Sequence, residues 1–273
     1  MKLLPEKILR RGLLFAAAAV LSGCANLNAV RDFAAEAESI SSYQTIPADF
    51  VNANVRRQAL YGRDESVDKL QSYKDYQELF VARQAVLTTY MGALVAVADD
   101  DVINYQKNID AAANAATKAD VLDKSSADLI ASAANLVAKL ATDGARRKLL
   151  RDIVTRCDPA IQELTSALAE TVSNDYVAFL NGEDRAADSL REDAAQSQNL
   201  GLKRLTHYTL REHAIELAQR KESAAAYAKA LAKIGAGHAQ LAAHIGDFSA
   251  KQFVAEIKGY QDELKSLEKQ LRN

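Results

Sequence analysis

The sequence predicts an all-α fold, an elongated antiparallel helical bundle with long coiled-coil-like helices. Three observations predict it. The 273 residues include only 3 Pro, 11 Gly and no Trp, too few turn residues for a β-sandwich or an α/β sheet. Apolar residues recur at three- and four-residue spacing along most of the chain. The breaks between these stretches are isolated Ser, Asp, Asn and Gly residues, with no Gly/Pro/Ser-rich linker, so residues 24–273 read as a single domain.

Leu27, Val30, Phe33, Ala37 and Ile40 define a first helix that Ser41-Ser42 ends. Pro47 suits a first helical position and opens a second, with Phe50, Val51, Val55 and Ala59, which Gly62 stops. Asp64 or Ser66 caps the third. Its residues Tyr73, Phe80, Leu87 and Leu94 fall seven apart, which is coiled-coil spacing, although the companion positions Gln77 and Gln84 are polar. Unbroken from 66 to 116, this helix is roughly 75 Å long at ~1.5 Å per residue. Asp99-Asp100-Asp101 fan around such a helix and read as a solvated stretch or a break.

Ser125 with Asp128 reads as a capping box for a helix bearing Leu129, Ala133, Leu136 and Leu140, which Asp143-Gly144 ends. The next seam is Leu150, Ile153, Cys157, Ile161, Leu164, Leu168, Val172, Tyr176 and Phe179, with Pro159 predicting a kink or a fresh start. Asn181-Gly182 predicts a stop, and Glu183-Asp184 supplies acid for the following N-terminus. From there to Ile234 the only strong breaker is Gly201, so one helix of about fifty residues is expected. Its buried side reads as Leu190, Ala194, Leu205, Tyr208, Leu210, Ala214, Leu217, Ala224, Tyr227, Leu231 and Ile234. Gly235 and Gly237 loosen a junction to a shorter helix with Leu241 and Ile245, and Gly246-Asp247 turns the chain. Ser249 with Gln252 caps the last helix, where Phe253, Ile257, Tyr260, Leu264, Leu267 and Leu271 alternate by four and three.

The N-terminus has a different design. Lys2, Lys7, Arg10 and Arg11 precede an apolar run from Leu13 to Leu21 and then small residues, the three parts of a secretory signal. The run is about nine residues, whereas a bilayer-spanning helix needs roughly 20. It ends in Leu21-Ser22-Gly23-Cys24, which resembles the lipobox of bacterial lipoproteins. That resemblance covers about the first 25 residues. It implies that residues 1–23 are a signal peptide and that Cys24 is both the lipidation site and the mature N-terminus, with diacylglycerol on its sulfur and, as a rule, a further acyl chain on its amine. Two or three chains anchor far more firmly than one. Ala25, where an aspartate favours retention at the inner membrane, implies the outer membrane, facing the periplasm of a Gram-negative envelope.

Composition narrows the partners. Removing residues 1–23 lowers the 34 basic and 36 acidic residues to 30 and 35, a formal charge of −5. That argues against nucleic acid and anionic headgroups, which need basic patches. With Cys24 lipidated, Cys157 is the remaining thiol and no intramolecular disulfide forms. Cys157 lies on an apolar face and reads as a small buried hydrophobe.

Catalytic chemistry finds no motif. There is no Gly-x-Ser-x-Gly elbow, no phosphate-cradling loop and no Cys/His pair at a convincing spacing. His207 and His213, like His238 and His244, are six residues apart, about 240° around a helix, so neither pair shares a face. No enzyme activity, cofactor or metal is expected. The expected role is a lipid-anchored envelope structural or protein-interaction module, with the membrane as partner through Cys24 and an envelope protein as a further one. A bundle enclosing a small ligand against Tyr73, Tyr76, Phe80 and Tyr90 is the alternative. A metal-dependent enzyme requires His213, His244 and carboxylates to converge.

Overall fold

A computed structural model describes residues 27–64, 66–99, 143–245 and 251–272, and every element in them is helical. Helix α1 spans 27–41. It ends where the Ser41 and Ser42 hydroxyls bond back to the Glu38 and Ser39 carbonyls. Helix α2, Thr45–Leu60, begins two residues before Pro47, which sits in the first turn where a missing N–H removes no helical bond. Gly62 stops it in the left-handed conformation, φ 64°. Helix α3 is Val67–Asp99. The rest of the predicted 66–116 helix, including Asp100 and Asp101, lies outside the described residues, as does the Ser125/Asp128 capping box.

Helix α4 is Asp143–Glu170. Asp143-Gly144 are its first residues, and the helix they were expected to end lies outside the described residues; of the two outcomes expected at Pro159, a fresh start does not occur, since Pro159 stands inside the helix. Pro159 and Thr155, whose carbonyl loses its partner, are both exposed, so water can take that acceptor. A π-helical segment, Thr171–Tyr176, follows. The Thr171 and Ser173 hydroxyls there bond to carbonyls four residues back, competing with the helical ladder. Helix α5, Val177–Gln196, runs straight through the predicted stop at Asn181-Gly182. A Cβ on Gly182 would lie 3.1 Å from Arg57 Cδ, so this glycine serves close packing.

The predicted fifty-residue helix is divided at Ser197–Asn199. Asn199 caps helix α6, Leu200–His244, by accepting the Leu202 N–H at 3.1 Å. Gly235 and Gly237 do not loosen α6, which is continuous through both. A Cβ at Gly235 would meet Thr165 Oγ1 at 2.7 Å, and one at Gly237 would meet Phe33 at 2.4 Å. Both glycines let neighbouring helices approach. Helix α7, Lys251–Arg272, buries Phe253, Ile257, Leu264, Leu267 and Leu271, as its pattern predicts; Tyr260 is half-buried.

Cross-helix bonds give the topology. α3 is antiparallel to α1 and α2, since Gln77 donates to the Pro47 carbonyl, Gln84 to that of Tyr43, and Arg31 reaches Asp99. α6 is antiparallel to α4 and α5, pairing Asp158 with His238 and Glu183 with His213. α7 turns back along α6, pairing Glu263 with Lys233. The result is an antiparallel-type bundle. Most of its core is aliphatic, each fully buried Leu, Ile or Phe contributing ~1.5–3 kcal/mol. α3, the one described helix long and apolar enough to cross a bilayer, is largely buried in this core.

Candidate functional site

Among the described residues, two polar constellations built on buried ionisable groups stand out inside the bundle. In the first, His238 is fully buried, with Nδ1 2.8 Å from Asp158 Oδ1 and Nε2 2.7 Å from the Tyr90 hydroxyl. An N–H at Nδ1 donates to the carboxylate and leaves Nε2 to accept from Tyr90. The His238 bond, aided by one from Gln162, holds Asp158 below the usual aspartate range. Burial drives the Tyr90 phenol well above its usual range, so Tyr90 stays a donor. The order carboxylate, imidazole, hydroxyl resembles a nucleophilic relay. Its last oxygen belongs to a side chain only 3% exposed, which denies it a substrate. The relay ties α3, α4 and α6 in one register.

The second constellation centres on Glu183, fully buried on α5. Arg56 clamps it with bonds of 2.7 and 3.0 Å and holds Asp49 at 2.6 and 2.9 Å. Burial opposes the Arg56 charge, but those two carboxylates outweigh it and raise its pKa. The π segment turns Tyr176 toward α2, so that its hydroxyl donates to Asp49 at 2.8 Å and its ring stacks on Phe50. His213 Nε2 approaches Glu183 at 3.5 Å. Sequence reading placed Glu183 at a helix start. The clamp was missed because Arg56 is 127 residues away.

The other sequence-predicted residues do not converge. His213 and His244 share α6 at a separation of roughly 46 Å, at ~1.5 Å per residue, so they cannot hold one metal. No group of three His, Cys, Asp or Glu able to bind a metal occurs among the described residues. Cys157 is buried, and burial pushes its thiol up to about 12, so thiolate chemistry is suppressed. The four aromatics do not line a common cavity. Tyr76 is exposed, Tyr73 meets Arg57, and Phe80 and Tyr90 pack within the core. Cys24 lies outside the described residues; α1 begins three residues after it.

The least explained surface is on α6. Thr206 lies near Ala194 of α5, and Leu210 and Leu217 are buried, while Leu205, Tyr208 and Ala214, expected to be buried, are exposed. Leu205 is 61%, Tyr208 64% and Ile215 48% exposed. With Gly201, Glu212 and Gln219 they form a second row at alternating spacings of three and four, all of it open. No known protein-family model matches this chain, and no curated protein or solved structure matches it significantly.

Proposed function

We propose that this chain is a lipid-anchored periplasmic helical-bundle lipoprotein, held through Cys24 in the outer membrane, that works as an envelope structural or protein-interaction module. The observation that carries the interaction reading is the bare row on α6. A helix with one seam buried and a second at coiled-coil spacing left open has the patterning of an interaction element. The ring contacts that Phe80 and Tyr90 make within the core, with Tyr76 exposed, favour this reading over an enclosed ligand. The lipobox supplies the anchor, and α1 starts too soon after Cys24 to leave a long tether. Phe33 of α1 lies against Gly237, near the C-terminal end of α6. The bare row is therefore displayed toward the opposite end of a helix about 67 Å long.

The test is photo-crosslinking in intact cells from positions 205, 208 and 215, with the buried position 210 as control. Adducts confined to the three outward positions are expected. Their absence, with protein present in the envelope, contradicts the reading.

A further inference from the structure

The hairpin between α5 and α6 projects beyond the helices beside it. α2 and α5 run parallel at a fixed offset, since Tyr176 bonds to Asp49 and Glu183 to Arg56, each pair 127 residues apart. After Arg56, α2 has four residues left and ends at Leu60, whereas α5 has thirteen left after Glu183 and ends at Gln196. The hairpin therefore overhangs α2 by nine residues, roughly 13 Å at ~1.5 Å per residue. α3 also falls short of the tip, because it begins six residues before Tyr73, which meets Arg57. With no described helix beside them there, Leu200 and Leu202 are 59% and 47% exposed. Neither belongs to the open row through Gly201, Leu205 and Tyr208.

The charge of this overhang is the reverse of the rest. No acidic residue lies between Asp193 and Glu212. Over residues 191–211, Arg191, Lys203, Arg204 and Arg211 outnumber Glu192 and Asp193, a net charge of +2, which leaves −7 for the remainder of residues 24–273. The negative charge that argues against anionic headgroups is thus an average over two unlike regions. Arg191, which also bonds Asp188, lines a crevice of about 240 Å³ between α5 and α6 with Lys203, Thr206 and His207. Its other lining residues are Ala194 and Ala195, so the crevice gathers donors and no carboxylate.

We propose that this tip is a contact for a lipid bilayer bearing anionic headgroups. Leu200 and Leu202 enter the interface, Lys203 and Arg204 stay at headgroup level, and the crevice takes a headgroup phosphate between Arg191, Lys203 and His207. Exposed leucines interleaved with cations have the composition of an interfacial anchor, whose apolar side chains bury while its basic ones meet phosphate. The end of a projecting hairpin suits a flat lipid surface, which needs no complementary groove. The inference goes beyond the interaction reading above, since it uses neither Tyr208 and Ile215 nor the lipid on Cys24.

The test places an environment-sensitive dye on Gln198→Cys of the full chain, an exposed tip position outside the proposed contacts. Wild type carried through the same labelling accounts for Cys24 and Cys157. Phosphatidylcholine vesicles with and without phosphatidylglycerol, both carrying a doxyl-labelled phospholipid, serve in two arms: as the bilayer into which the chain is reconstituted, and as a second population added to it. Quenching in either arm that requires phosphatidylglycerol and is reversed by high salt is expected. Each basic residue near such a surface is worth about fivefold in partitioning, so Arg204→Gln should weaken binding about fivefold, and Lys203→Gln with Arg204→Gln about twenty-five-fold. Leu200→Ser with Leu202→Ser should remove the quenching, with circular dichroism unchanged in every variant. No quenching in either arm, equal quenching without phosphatidylglycerol, or quenching unmoved by these variants overturns the proposal. Inorganic phosphate that shifts the dye as far as the vesicles do overturns the lipid in favour of a free anion. Photo-crosslinks in cells from position 202 that reach only protein overturn it as well, while positions 208 and 215 still decide the interaction face and flotation of the reconstituted chain reports the anchor.

Discussion

Arg56 and Glu183 join α2 to α5 through a carboxylate with no solvent exposure. Arg56→Ala strands that charge and should lower unfolding stability by about 3–5 kcal/mol in denaturant titration, with Arg56→Leu plus Glu183→Leu recovering much of the loss. His238→Leu leaves the Tyr90 hydroxyl buried without its acceptor, a cost of about 1–3 kcal/mol by the same measurement. At this scale the sequence was only partly legible. Cys157 was readable as a buried hydrophobe because its apolar face is written into its own neighbours. Glu183, Gly235 and Gly237 were not, because each answers to a residue on a distant helix, namely Arg56, Thr165 and Phe33. Local rules read them as a helix start and a loose junction.

Among the elements, α1 and α7 lie side by side through an acidic contact. The Ser39 hydroxyl donates to Glu268 at 2.6 Å, and Arg272 holds the same carboxylate at 2.7 Å. Burial, then the neighbouring Glu268 carboxylate, push Glu36 up from 4.5 to about 7, against the opposing pull of Lys265 and Arg272. A carboxyl whose pKa rises on folding binds its proton more tightly in the native state. Its contribution is therefore complete below about 4.5 and lost as pH rises through about 7. Glu36→Gln should raise the melting temperature relative to wild type at about pH 8, and the difference should shrink or reverse toward about pH 5. Thermal melts across that range check it. The apolar stripe of α7 was legible except at half-buried Tyr260, since its four-and-three alternation places one stripe against α6 and α1, while the expected cap at Ser249 lies outside the described residues. The division between α5 and α6 was missed because a single asparagine, Asn199, makes it by capping, whereas Gly201, the residue that looked like a breaker, sits within the first turn of α6.

At the scale of the whole molecule, the all-α architecture followed from composition and spacing, while the way long helices pair did not. The expectation that Leu205, Tyr208 and Ala214 were buried assumed that every apolar row on α6 had an internal partner. One row is buried against neighbouring helices; the other, with Leu205, Tyr208 and Ile215, is exposed and has no partner among the described residues. That surplus row, at the end of α6 away from the start of α1, is the basis for reading the body as an interaction module. The proposed anchor would determine where that module operates, so the most direct measurement is the mass of the N-terminal fragment of protein isolated from the cell envelope. The account predicts a chain that begins at Cys24 and carries diacylglycerol and an amide-linked acyl group. A chain that retains Met1, or begins elsewhere with an unmodified Cys24, would contradict it.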